Sequence, residues 1–203
     1  MNKRVAILIS GKGSNMVSLV ESMVGDHVAR PCLVLSDNPC AEGLEKARKL
    51  RVPVAVVDHR AFSGDKRAFE SAMIAELDKA SPQIICLAGF MRILSREFLL
   101  KWHDRVLNIH PSLLPKYKGL DTHARAIEAG DRVAGCTVHK VMPQVDSGEI
   151  MGTAKVQIYK GDTPEALAKR VLEKEHMLYP KVLKRYSLAD YRPVFMEFDR
   201  VCR

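Results

Sequence analysis

Apolar positions in this chain gather into short continuous runs, each followed by a polar or glycine-bearing break and then by a helical spacing. Arg4 to Ile9 is the first run; it ends in S-G-K-G-S-N, Ser10 to Asn15, and a helical pattern follows through Val17, Leu19, Val20 and Met23. Cys32 to Leu35 is the second, ending in S-D-N-P, and Ala41 to Leu50 reads as a helix with Leu44, Ala47 and Leu50 inward. Val54 to Val57 reads as a short buried strand, and Lys66 to Ala80 as an amphipathic helix on Phe69, Met73, Ile74 and Leu77. Ile84 to Ala88 is the most apolar run and leads into G-F-M-R. Strands apolar at every position, alternating with helices, predict an α/β fold with a parallel sheet covered on both faces. Sites in such sheets lie beyond the carboxyl ends of the strands.

From Val106 the rhythm changes. A strand holding Asn108 and His110 runs into the proline-bearing loop P-S-L-L-P-K-Y-K-G-L and a short helix from about Thr122 to Ala129. Two long β runs, A-G-C-T-V-H-K-V-M and E-I-M-G-T-A-K-V-Q-I-Y-K, flank P-Q-V-D-S-G and predict an antiparallel pair. Thr163 is placed to cap a last long helix, with Pro164 at its first position and Leu167, Val171, Leu172 and Leu178 inward. Tyr191 to Phe198 reads as a final edge strand. The sheet is thus predicted to be mixed, parallel first and partly antiparallel later.

At 203 residues the chain is long enough for a real core, and 47% hydrophobic with 28% charged residues is an ordinary globular balance. Two basic residues and five apolar ones precede Ser10, too few for a secretion signal, and no run approaches the roughly 18 apolar residues of a membrane helix. These features point to a cytoplasmic protein. The five cysteines, Cys32, Cys40, Cys86, Cys136 and Cys202, are odd in number and scattered, which argues against a disulfide framework or zinc site. Cys86 and Cys136 read as small core residues. No His pair has metal-ligand spacing, so no metal is expected. The net charge of +8 favours anionic partners. Its scatter, with 6% aromatics, points to small phosphorylated or carboxylated ligands rather than nucleic acid or a membrane.

Three stretches bear chemistry. S-G-K-G-S-N stands between a strand and a helix, where backbone N–H groups and the helix dipole favour an anion. It matches neither the dinucleotide fingerprint nor a P-loop, and a phosphate monoester fits it better than a plain turn capped by Ser14. G-F-M-R-I-L, Gly89 to Leu94, is either core or the lining of a flat apolar slot. Asn108 and His110, two apart on a strand, face the same way. Taken alone, they read equally well as a strand end with a satisfied histidine. Q-V-D-S-G-E, Gln144 to Glu149, supplies a carboxylate that, folded back beside His110, would favour the protonated imidazole. No nucleophilic serine or cysteine motif accompanies them, so transfer between two bound substrates suits the unit better than a covalent enzyme intermediate.

S-G-K-G-S-N, L-A-G-F-M-R-I-L, L-N-I-H-P-S-L-L-P-K-Y-K-G, G-C-T-V-H, D-S-G and E-H-M-L-Y-P together resemble the phosphoribosylglycinamide formyltransferase family of 10-formyltetrahydrofolate-dependent enzymes. The likeness runs in order from about residue 4 to 185. It implies a Rossmann-like, mixed but mostly parallel sheet with helices on both faces, in a single domain of the formyltransferase type over residues 1–203. Within it, about 1–100 would be a phosphate-binding half and about 101–203 a folate-binding and catalytic half. It also implies formyl transfer from 10-formyltetrahydrofolate, as co-substrate, to the amine of glycinamide ribonucleotide in purine synthesis.

By that resemblance Asn108 and His110 serve the transfer and Asp146 tunes the histidine. Gly13, Ser14, Asn15 and Met16 would meet the ribonucleotide phosphate, and Glu175 the ribonucleotide. The folate slot would use Met91, Arg92, Ile93, Leu94, Asn108, Met142, Pro143, Gln144, Val145 and Asp146. A family arginine that touches folate stands here as Lys66, followed by Arg67. The family's Pro-Gly-Leu-His reads K-G-L-D, Lys118 to Asp121, a segment expected to lie outside the chemistry. The partners implied are these small molecules, in a monomer or homodimer. A formyltetrahydrofolate hydrolase would use the same Asn, His and Asp on water, but carries an extra N-terminal domain. A methionyl-tRNA formyltransferase would add a C-terminal RNA-binding domain. A non-enzymatic nucleotide-binding module would leave Asn108, His110 and Asp146 without a task.

Overall fold

A computed structural model describes residues 2–198, so Cys202 lies outside the described residues. The chain divides into two compact units between Asn108 and Ile109.

The first unit alternates strand and helix as the apolar runs predict: β1 (Lys3–Ile9), α1 (Ser14–Ser22), β2 (Ala29–Ser36), α2 (Glu42–Lys49), β3 (Val54–Val56), α3 (Lys66–Ala80), β4 (Ile84–Leu87) and α4 (Arg96–Lys101). A further strand, β5 (Val106–His110), runs across the division. The strands pair in parallel in the order β3-β2-β1-β4-β5. Val5 to Ile9 of β1 and all of β4 are buried, so water reaches neither face of the central strands. Asp65 and Ser95 cap α3 and α4 by accepting from Ala68 N (2.9 Å) and Phe98 N (3.1 Å).

One expectation fails here. β3 is not a buried strand: Val54 and Ala55 are half-buried and Val56 is 40% exposed. It is the terminal strand in that order, and a short apolar run does not distinguish an edge strand from a central one.

The second unit holds α5 (Thr122–Glu128), β6 (Val133–Lys140), β7 (Ile150–Gln157), α6 (Pro164–Ser187) and β8 (Val194–Met196). β6 and β7 are antiparallel, and β8 pairs with β7 in parallel as the last strand. The Thr163 side chain accepts from Ala166 N (3.2 Å), and Pro164 starts α6, as the sequence requires. Leu167, Val171 and Leu178 turn inward, while Leu172 is only half-buried. The helix lies so close to β7 that a Cβ at Gly152 would stand 2.8 Å from Val182 Cγ2. Cys86 and Cys136 are both buried. Among the described residues no helix is long and apolar enough to cross a membrane.

Candidate active site

His110 ends β5, and the turn between β6 and β7 carries Asp146, 36 positions later. The fold brings them together: His110 Nδ1 stands 3.4 Å from Asp146 Oδ2, with the two side chains 7% and 10% exposed. Asn108, two residues earlier on the same strand, is half-buried and shares the histidine's face. The Asn, His and Asp expected to act as one unit are therefore placed on one strand end and one adjoining carboxylate.

The proline-bearing loop supplies the unit's backbone partners. Ser112 N donates to His110 O (2.9 Å), Ser112 Oγ donates to Lys116 O (2.6 Å), and Thr122 Oγ1 donates to Pro111 O (2.8 Å). Thr137 Oγ1 of β6 donates to Ser112 O (2.7 Å) and accepts from Leu114 N (3.0 Å). Tied this way, the loop aims the Tyr117 carbonyl at His110 Nε2 (2.9 Å) and the Gly119 N–H at Asp146 Oδ2 (3.0 Å). The Lys118 to Asp121 segment thus bonds Asp146 through a main-chain group that side-chain identity does not reveal.

A carbonyl only accepts, so His110 Nε2 carries a hydrogen. Burial alone would raise the Asp146 carboxyl. The side-chain contact with His139, the Gly119 N–H and the charges on His110 and His139 outweigh it and hold the group down to about 2. His139 is the residue that sequence reasoning passed over. It lies on β6, 2% exposed, with Nε2 3.6 Å from Asp146 Oδ1. It lies within G-C-T-V-H, where nothing in the sequence points it at Asp146.

In the first unit, Gly13 stands before α1 with φ +68, and no side chain caps the helix. Ser14 is the first helical residue and not the cap, because a left-handed glycine already turns the chain into the helix. A Cβ at Gly13 would meet Gly43 Cα at 2.8 Å, so two backbones touch there. Intrahelical bonding begins with Val17 N to Gly13 O (3.0 Å), and the N–H groups of Ser14, Asn15 and Met16 point out of the helix end. Lys46 Nζ reaches the Lys12 carbonyl (2.8 Å), adding a positive charge beside this loop.

Met91 to Leu94 leaves the end of β4. Met91 and Ile93 are 60% and 63% exposed and only Leu94 is buried, which excludes the core reading for the first three residues. Met91 N donates to Ser10 Oγ (2.9 Å), and Arg92 Nε donates to the fully buried Asp37 at 2.7 Å. These bonds join the segment to the strand ends of β1 and β2. Lys66 opens α3, half-exposed and 4.0 Å from Glu70. Met142, Pro143, Gln144 and Val145 are exposed in the β6–β7 turn. Glu175 is buried on α6, where its charge helps push the Cys136 thiol of β6 upward after burial itself.

The formyl transferase family matches residues 3–183. The phosphoribosylglycinamide formyltransferase of Haemophilus influenzae is 40% identical over 91% of this chain and 87% of its own. The trifunctional purine biosynthetic protein adenosine-3 of Gallus gallus is 46% identical over 89% of this chain, which spans only 18% of that longer protein. In crystal structure, the phosphoribosylglycinamide formyltransferase of Brucella melitensis matches at 46% identity with a TM-score of 0.88, covering 92% of this chain and 96% of that one. With matches of this extent, the chain belongs to the formyl transferase family, among its phosphoribosylglycinamide formyltransferases.

Proposed function

We propose that this enzyme transfers the formyl group of 10-formyltetrahydrofolate to the amine of phosphoribosylglycinamide, giving the N-formyl product and tetrahydrofolate in purine biosynthesis. The observation that carries the reading is the 3.4 Å approach of His110 and Asp146, with Asn108 two residues before the histidine on β5. When the amine nitrogen bonds to the formyl carbon, negative charge builds on the formyl oxygen and positive charge on the nitrogen. An Asn108 N–H and a charged His110 stabilise the oxygen, and their value is high because the histidine and the aspartate are shielded from water. Direct donation from His110 Nε2 requires its hydrogen to leave the Tyr117 carbonyl. Asp146 holds the imidazolium and its orientation. As the carbon–nitrogen bond to folate breaks, the amine has lost one proton and the folate nitrogen has gained one, so no net proton is consumed.

The N–H groups of Gly13, Ser14, Asn15 and Met16 hold the ribonucleotide phosphate, with Lys46 adding charge, and Glu175 meets the ribonucleotide. Met91, Arg92, Ile93 and Leu94, together with Met142 to Asp146, hold the pterin, and Lys66 the folate tail. The exposed Met91, Ile93, Met142 and Val145 support this, as apolar side chains left open to solvent. Tetrahydrofolate release, followed with and without the ribonucleotide amine, tests the reading. Release that depends on the amine supports it; equal release without the amine identifies a hydrolase.

A further inference from the structure

We infer that His139 is a positioning residue of the transfer site, holding the Asp146 carboxylate from the oxygen opposite His110. The inference rests on the formyl-transfer reading. Asp146 has φ +46, in the left-handed region, within the exposed turn between β6 and β7, so its local backbone gives little reason for one fixed side-chain direction. Its contacts supply that direction. Oδ2 accepts from Gly119 N and faces His110 Nδ1, whereas Oδ1 faces His139 Nε2.

His139 is fitted for the task. It is buried on β6, and its Nδ1 lies 2.8 Å from the Lys140 carbonyl. Because that oxygen only accepts, Nδ1 carries the hydrogen and the ring cannot turn over without losing the bond. Nε2 then faces Asp146 Oδ1 at 3.6 Å. One carboxylate thus serves two imidazoles, one nitrogen of each being fixed on a main-chain carbonyl. Without His139, Oδ1 loses its partner, and Asp146 can rotate away from His110.

The test is a double-mutant cycle with Asp146→Asn, read as kcat and both KM values. His139→Leu is expected to lower kcat about tenfold to a hundredfold with both KM values within about twofold. His139→Gln, which keeps an N–H donor, should recover most of that loss. In the Asp146→Asn background His139→Leu should add nothing, since its effect passes through the carboxylate. Full additivity, or equal loss in the Leu and Gln variants, overturns the inference. The ring ¹⁵N resonances of His110 in the ligand-free protein give a second reading that needs no turnover. They should move in His139→Leu in the same sense as in Asp146→Asn and stay near wild type in His139→Gln; unmoved resonances in His139→Leu also overturn it. Wild-type protein lacking amine-dependent release would instead sink the transfer reading, leaving the resonance result to judge the His139–Asp146 coupling alone.

Discussion

Replacing Asp146 with Asn removes one negative charge and keeps the side chain's shape, so it isolates the electrostatic work of the carboxylate. The carboxyl is held at about 2 in the folded protein against an ordinary value near 3.8. A difference of roughly 1.8 units corresponds to about 2 kcal/mol favouring the charged, folded form. Because the folded value is the lower one, this stability is fully present above about pH 5 and is lost as pH falls toward 2. The linkage relation puts about half of the loss already at pH 3. The variant has no group to titrate there. At pH 7 it should therefore be about 2 kcal/mol less stable than wild type, a drop in Tm of about 4–8 °C for a chain of this size. Urea unfolding of both proteins at pH 7, 4 and 3 reads the difference, which should shrink by about half at the lowest pH. A gap that stays constant, or widens on acidification, would refute the claim that the site's positive groups hold this carboxylate charged.

Two further substitutions separate the binding segments. Gly13→Ala forces about 1–2 kcal/mol of left-handed strain and drives a Cβ against Gly43, so the ribonucleotide KM should rise about fivefold to thirtyfold while the folate KM holds; equal changes in both would remove the phosphate loop from its assigned role. Asp37→Ala releases Arg92, which is exposed enough to find water, and the folate KM should rise several-fold with the ribonucleotide KM unchanged; an unchanged folate KM would show that Arg92 does not hold the Met91–Leu94 segment in place.

The strands and helices were legible because burial imposes its period on the sequence: Val5 to Ile9 of β1 and all of β4 are apolar, and α3 runs from Lys66 to Ala80 as its spacing predicts. What escaped was long-range or carried by the main chain. The exposure of β3 depends on which strand ends the sheet, a property of pairing and not of Val54 to Val56 themselves. The role of Gly119 rests on its N–H, which every residue but proline has. His139 went unassigned because its partner, Asp146, sits in the nine-residue turn from 141 to 149, whose folding back onto β6 the sequence does not show. Asn108, His110 and Asp146 were visible as residue types, and their resemblance to a family supplied roles, but only the fold shows the 3.4 Å approach of His110 and Asp146. Met91 and Ile93 were open between core and slot, and their exposure removes the core reading.

The central claim is that His110 and Asn108 stabilise the charge developing on the formyl oxygen. Single-turnover release of tetrahydrofolate, with enzyme in excess and both substrates bound, measures that step directly in wild type, Asn108→Ala and His110→Ala. Loss of one such donor costs about 10²–10³ in rate. The account predicts a fall of at least that size in each variant, with substrate binding retained by direct titration. Near-normal turnover in His110→Ala would contradict it and return the pair at the end of β5 to an ordinary strand terminus.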